Sequence, residues 1–131
     1  PPMRDYLEFS LSHEELVELF QNEDAHHEWR SRLSAVAGVY LILAETSGEL
    51  YVGSASGGEG VWGRWREYAR TGHGNNRLLK ALTRSDSAYP AAFRYSILQI
   101  LPKSMSREEV LEREMSFKTK LGCRAHGLNL N

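Results

Sequence analysis

Two tripeptides that join glycine to tyrosine constrain the fold of this chain more than any other feature. Gly38-Val39-Tyr40 lies in the apolar run from Gly38 to Ala44, and Tyr51-Val52-Gly53 lies in the run from Glu49 to Ser54. The residues between the two runs, Glu45-Thr46-Ser47-Gly48, are typical of a turn. The pattern therefore predicts a β-hairpin that carries one tyrosine on each strand.

Alternation along the two runs predicts where the tyrosines point. Because successive side chains of a strand point to opposite faces of the sheet, Tyr40 is expected on the other face from Val39 and Leu41, and Tyr51 on the other face from Val52. Both phenols are then on the face away from the main aliphatic row and available to a site. The neighbouring glycines would let a large ligand approach the backbone closely.

The remaining elements follow from caps and hydrophobic periodicity. Capping boxes begin at Ser12 and Ser106, and Gly122 is the expected stop of the last helix. Further helices are predicted at 24–33, 60–70 and 75–84, and a third strand at 93–101. We therefore expect an α/β (α+β) domain at 36–131, in which helices flank a small three-stranded antiparallel sheet, preceded by an acidic helical extension at 1–35.

Composition excludes several classes of protein. A chain of 131 residues with a single cysteine, Cys123, can form neither an intrachain disulfide nor a cysteine-based zinc site. No apolar run approaches the roughly 18 residues of a membrane span. We expect an intracellular, cytoplasmic protein that works without a membrane and lies on the nucleoid when it binds DNA.

Charge is distributed unevenly along the chain. Residues 1–30 hold eight acidic side chains against two arginines, whereas residues 60–84 hold six basic side chains against Glu67 alone. The two segments carry net charges of −6 and +5. A basic stripe of this kind can follow a phosphate backbone, although a solvated helix face can look the same.

Glu114 occupies an unusual position in the last helix. At about 100° per residue it lies close to the direction shared by Val110, Phe117 and Leu121, which predicts a carboxylate within a buried stripe. A buried carboxylate requires a cation, a donor network or a cleft. A structural salt bridge, for example with Arg64, and a functional site are the two interpretations of this position.

Taken together, these motifs resemble the GIY-YIG nuclease superfamily over residues 37–131. Besides the two tripeptides, the resemblance includes the following segments: Gly63-Arg64-Trp65, His73, Glu112-Arg113-Glu114 and Gly127-Leu128-Asn129. Valine replaces the isoleucine of both family tripeptides. The resemblance implies catalytic roles for six residues: Tyr40, Tyr51, Arg64, His73, Glu114 and Asn129.

The resemblance also implies a chemistry. Glu114 would bind Mg²⁺ or Mn²⁺, Arg64 would hold the scissile phosphate, and Tyr40 or Tyr51 would orient or deprotonate water, which requires a lowered phenol pKa. His73 would relay the proton, and Asn129 would support the site through hydrogen bonds, with Asn131 as the alternative. Basic side chains expected along the DNA are Arg64, Arg66, Arg70, Arg77 and Lys80.

We therefore expect a metal-dependent DNA endonuclease of restriction or defence type that leaves 5′-phosphate and 3′-hydroxyl ends. A DNA repair or homing-type nicking nuclease is the alternative within this class. Cleavage of both strands would require a homodimer or two sequential nicks, and target recognition in a further domain outside this sequence is consistent with the pattern. A module that binds nucleic acid or a protein partner without catalysis is the alternative from another class.

Overall fold

A computed structural model describes residues 3–123 of the chain. This part of the chain contains helices and strands that are mixed along the sequence. They are β1 (Leu11–Ser12), α1 (His13–Gln21), a 3₁₀ helix (Glu23–His26), α2 (His27–Ser34), β2 (Ala37–Ala44), β3 (Glu49–Ala55), α3 (Gly60–Thr71), α4 (Arg77–Ser85), a second 3₁₀ helix (Tyr89–Ala92), β4 (Phe93–Leu101) and α5 (Arg107–Leu121).

The sheet is antiparallel and contains four strands in the order β1-β4-β2-β3. The predicted mixed α/β architecture is confirmed, but the predicted number of three strands is wrong, because Leu11 and Ser12 pair with Tyr95 and Arg94. Ser12 is also the N-cap of α1, with its side chain accepting a hydrogen bond from the Glu15 amide. An N-cap residue has extended backbone angles, so one residue can serve both the strand and the helix.

Both predicted capping boxes are formed, and they set the start of α1 and of α5. Helix α5 ends at Leu121, where Gly122 adopts a left-handed conformation with φ of 75°. The predicted helix at 24–33 is divided into a 3₁₀ turn and α2, and the predicted helix at 75–84 begins two residues later, at Arg77. Asn76 caps that helix by accepting from the Leu79 amide.

The sheet separates two hydrophobic cores. The larger core lies between the sheet and helices α1 to α4, and it contains Tyr40, Tyr51, Trp62 and Trp65. The smaller core lies on the other face, where α5 covers Val39, Val52 and Leu101. Helix α1 and α2 contribute to the larger core; for example, the ring of Phe20 lies 4.1 Å from that of Trp62. The division of the chain into 1–35 and 36–131 stays a prediction.

Tyr40 and Tyr51 share one face of the hairpin, because Tyr40 is opposite Gly53 and Ile42 is opposite Tyr51. The expectation that this face is open is wrong. The two tyrosines are only 1% and 2% exposed. Tyr40 packs against Trp65 and Tyr68 of α3, whereas Tyr51 packs against Phe93 and is hydrogen-bonded to Tyr89. The space beside Gly53 is filled by the Tyr40 ring itself, and a Cβ at Gly53 would lie 2.5 Å from the Tyr40 hydroxyl.

We predict that Gly53→Ala lowers the free energy of unfolding by about 1–3 kcal/mol, because the added methyl group displaces the buried Tyr40 ring. Urea unfolding measures this change. Gly58→Ala is the control, since a Cβ there meets nothing within 4 Å. In a Tyr40→Ala background the Gly53→Ala effect should largely vanish, and an undiminished effect there would contradict the assigned cause.

Candidate active site

An open cleft of about 930 Å³ lies where the end of β3 meets α3 and α5. The side chains that line it come from three separate elements. They include Ser54 and Ala55 of β3, Gly63, Arg64, Arg66 and Glu67 of α3, and Arg107, Leu111 and Glu114 of α5. Helix α3 is held in place at its start, because the Val61 amide donates to the Val36 carbonyl and a Cβ at Gly60 would lie 2.1 Å from that oxygen.

Arg64 projects from α3 into the cleft and is fixed by neighbours on one side. Its guanidinium donates to the Gly74 carbonyl and lies 4.9 Å above the ring of Tyr68. Such a cation–π contact favours the charged group. Burial acts to lower the pKa of Arg64, but the surrounding phenols and Glu114 outweigh it and the pKa is raised. Arg64 is therefore a permanent positive charge with a defined orientation.

Tyr68 connects Arg64 to Tyr40. The Tyr40 and Tyr68 hydroxyls are 3.0 Å apart, and the Arg64 Nη2 donates to the Tyr68 hydroxyl over 3.5 Å. Gly74 makes room for this arrangement, since a Cβ there would lie 2.7 Å from the Tyr68 ring. The Tyr68 hydroxyl thus links Tyr40 to Arg64. Tyr40 itself lies in the interior of the protein and not on the wall of the cleft.

The pKa values of Tyr40 and Tyr68 are raised, whereas a phenol that acts as a general base needs a lowered pKa. Burial raises the pKa of Tyr40 well above its ordinary value, and Tyr68 adds to this effect while Arg64 opposes it. Burial likewise raises the pKa of Tyr68, again opposed by Arg64. The expected lowering of the phenol pKa is therefore wrong for the protein by itself, because removal from water disfavours the phenolate more than Arg64 favours it.

Glu114 is 4% exposed and belongs to the wall of the cleft. Its Oε1 accepts a hydrogen bond of 2.6 Å from the Ser54 hydroxyl, and its Oε2 lies 2.8 Å from the Lys118 ammonium. The structural salt bridge considered from the sequence exists, but its cation is Lys118 and not Arg64. Leu121 was expected in the same buried stripe but is 41% exposed. Lys118, by contrast, is buried together with Val110 and Glu114.

Tyr51 and His73 lie apart from this cluster. The Tyr51 hydroxyl is 2.8 Å from the Tyr89 hydroxyl. The pKa of Tyr51 is raised, mainly by burial and secondly by that hydrogen bond. His73 is in the turn after α3, where its Nδ1 accepts from the Asn75 amide at 3.0 Å. Burial and Lys80 lower the pKa of His73. Gly74 and Asn75 line the cleft, but the His73 side chain does not.

The predicted DNA-contacting side chains are distributed over several surfaces. Arg66 lines the cleft but pairs with Glu59, and Arg70 pairs with Glu67. Arg77 and Lys80 are exposed on α4, outside the cleft lining. Asn129 and its alternative Asn131 lie outside the described residues. The catalytic and DNA-binding roles of all these residues stay predictions.

A search of solved structures finds one similar protein that bears on the function of this cleft. The chain is similar to the catalytic domain of homing endonuclease I-TevI, with 28% sequence identity, a TM-score of 0.52, and coverage of 72% of this chain and 98% of that domain. This similarity supports the resemblance of the chain to the GIY-YIG nuclease superfamily. No protein-family profile and no curated protein matches it.

Several residues of this candidate site were not predicted as site residues from the sequence: Ser54, Tyr68, Arg107 and Lys118. Two of them had a local signal, because Tyr68 and Lys118 follow Arg64 and Glu114 by four residues, and residues so spaced are neighbours on a helix. Ser54 and Arg107 had none, since their approach to Glu114 and the cleft depends on how α5 packs on β3.

The donor set fits a hard divalent cation bound through one carboxylate. Among residues 3–123 no group of three or more His, Cys, Asp and Glu side chains converges, so the site would supply Glu114 and leave other positions to water and phosphate. The side chains of Glu114 and Arg64 both line the cleft.

None of the helices within residues 3–123 has the length and apolar character that a membrane span requires.

We predict that this protein loses stability steeply as the pH rises above about 10. Because the buried phenols of Tyr40, Tyr51, Tyr68 and Tyr95 have raised pKa values, the unfolded chain releases their protons first. Each contributes a slope of about −1.4 kcal/mol per pH unit in that range. Denaturant unfolding of Tyr68→Phe should show a shallower slope than wild type, and an equal slope would contradict the assignment.

Proposed function

We propose that this protein is a divalent-metal-dependent DNA endonuclease that leaves 5′-phosphate and 3′-hydroxyl ends. The observation that carries the proposal is one cleft in which α5 presents the carboxylate of Glu114 and α3 presents the guanidinium of Arg64. The likeness to a homing endonuclease catalytic domain supports the same reaction class. The proposed biological role is restriction-like, and nicking in DNA repair or of the homing type is the alternative.

Arg64 would bind the scissile phosphate. Its guanidinium is already oriented by Gly74 and Tyr68, so binding a phosphate would require little further ordering of the side chain. A planar guanidinium can donate two parallel hydrogen bonds to phosphate oxygens, and its fixed charge stabilises negative charge that develops in the transition state. Arg64 is therefore the proposed electrostatic centre of the reaction.

Glu114 would hold Mg²⁺ or Mn²⁺, which when bound supplies positive charge at the phosphate and lowers the pKa of bound water. The Ser54 hydroxyl and the Lys118 ammonium fix the orientation of the carboxylate before any ligand binds. The hydrogen bond from Ser54 also joins β3 to α5 beside the cleft.

Tyr40 and Tyr68 would act as one unit. Hydroxyl groups that are hydrogen-bonded to each other share their titration, and both phenols feel the positive charge of Arg64. In the protein by itself both phenols are neutral. The Tyr68 oxygen accepts a hydrogen bond from Arg64 and so helps to orient the guanidinium toward the phosphate, and the Tyr40 hydroxyl is hydrogen-bonded to that of Tyr68. For either to accept a proton from water, the charges that arrive with the substrate must lower its pKa.

The cleft offers one further cation for the DNA backbone. Arg107 is exposed at the first turn of α5, and among the described residues it has no acidic partner, whereas Arg66 and Arg70 are each paired. A phosphate that reaches Arg107 therefore displaces no existing ion pair. Arg107 and Arg64 would mark the path of the strand across the cleft.

We predict that Arg107→Ala weakens DNA binding irrespective of sequence and lowers the slope of log affinity against log salt by about 0.9. Arg113→Ala is the matched control, because Arg113 is exposed on the same helix but does not line the cleft. Fluorescence anisotropy with a labelled duplex at several salt concentrations measures both. Equal slopes for the two variants would contradict this path.

We predict that the wild-type protein nicks supercoiled plasmid in Mg²⁺ and that Glu114→Gln reduces the rate by at least about 100-fold, because the cation loses its protein ligand. Glu59→Gln, which alters an exposed carboxylate in the same cleft, should retain activity. Gel electrophoresis of time points measures the rates.

Two outcomes would contradict the proposal in different ways. If the wild type retards DNA in a gel and leaves plasmid intact in Mg²⁺ or Mn²⁺, the protein is a binding module without catalysis. If Glu114→Gln cleaves as fast as wild type, nuclease activity stands and the metal assignment to Glu114 is wrong.

A further inference from the structure

The carboxylate of Glu114 is approached from two sides. Lys118 is 2% exposed and does not line the cleft, so its ammonium reaches Oε2 from the interior of the protein. Ser54 lines the cleft and donates to Oε1. A cation that enters the cleft from solvent and reaches the carboxylate then shares it with a lysine that is already bound.

The charges around the carboxylate oppose a second cation. Lys118 is in direct contact with Glu114, and Arg64 on the other wall of the cleft also interacts with it electrostatically. One negative charge therefore faces two fixed positive charges. Repulsion between like charges is strong at short range in a poorly hydrated site. A phosphodiester brings both a negative charge and oxygen ligands, and it removes this imbalance.

We propose that Lys118 is a positioning residue that keeps divalent-metal binding at Glu114 weak in the free protein, so that the ion binds tightly only together with a DNA phosphate. This inference rests on the proposed function, because it assumes that Glu114 is the metal ligand. Its physical consequence is an order of binding: the cluster of Glu114, Lys118 and Arg64 presents a net positive charge to the phosphate first, and the phosphate completes the metal site.

A purely structural role for Lys118 makes a different prediction. A lysine that only holds the Glu114 side chain by a hydrogen bond can be replaced by glutamine, which also donates. A lysine that acts through its charge cannot. Lys118→Gln therefore separates the two roles, and Lys118→Arg, which keeps the charge, should restore wild-type behaviour.

Mn²⁺ binding measured by electron paramagnetic resonance without DNA tests the inference directly. Lys118→Gln and Lys118→Met should bind Mn²⁺ at least about 10-fold more tightly than wild type, which is a change that titration resolves readily. Lys120→Met is the matched control on the same helix, since Lys120 is exposed and its ammonium lies over the Phe117 ring. Lys120→Met should bind Mn²⁺ as wild type does.

A second measurement uses the wild type, and its main result does not depend on whether a variant at Lys118 folds. Addition of a short phosphorothioate duplex, which keeps its charge and resists hydrolysis, should raise the Mn²⁺ affinity of the wild type by at least about 10-fold. The same duplex should raise the affinity of Lys118→Gln by a smaller factor, because part of the repulsion is already gone. An unchanged wild-type affinity would overturn the proposed order of binding.

The controls separate failure of this inference from failure of the proposed function. If Glu114→Gln binds Mn²⁺ as well as wild type, Glu114 is not the metal ligand and the metal site of the proposed function is wrong. If binding requires Glu114 but Lys118→Gln and Lys118→Met match wild type, Lys118 is only a structural partner. In that case the proposed nuclease stands and the inference about Lys118 is rejected.

Discussion

The packing of Tyr40 against Gly53 is the contact on which the arrangement of the site depends. Tyr40 is on β2, and its ring occupies the space that a side chain at position 53 of β3 would need. Its hydroxyl then meets Tyr68 of α3, which in turn contacts Arg64. Gly74 completes this set of contacts, because its lack of a side chain leaves room for the Tyr68 ring and its carbonyl accepts a hydrogen bond from Arg64. Two glycines thus allow one continuous set of contacts to run from the sheet to the cleft.

The site is divided between the two faces of the sheet. Tyr40, Tyr68 and Arg64 belong to the side of the larger core, whereas Glu114 and Lys118 belong to α5 on the other side. The cleft lies beyond β3, at the edge of the sheet, where α3 and α5 both reach past the strand. Ser54 connects the two halves, since it is on β3 and donates to Glu114. An edge position leaves the cleft open to a long polymer.

Much of the fold could be predicted because its signals are local. The capping boxes at Ser12 and Ser106 and the glycine at position 122 define helix ends through contacts within a few residues. The hairpin register follows from alternation and a short turn. Strand β1 could not be predicted, because two residues show no alternation and its hydrogen bonds are made to a strand some 80 positions away. The exposure of Leu121 was also mispredicted, since helical periodicity does not say where a neighbouring sheet ends.

The sequence alone determined the order of the longer helices and of strands β2, β3 and β4, the shared face of Tyr40 and Tyr51, and the burial of a carboxylate at Glu114. These depend on caps, alternation and helical angle, which act over short distances along the chain. Only the tertiary structure decided that the tyrosines are covered, that Tyr68 joins Tyr40 to Arg64, and that Lys118 neutralises Glu114. Burial and charge pairing depend on which surfaces meet, and a phenol or a carboxylate acquires its chemistry from the groups that replace its water.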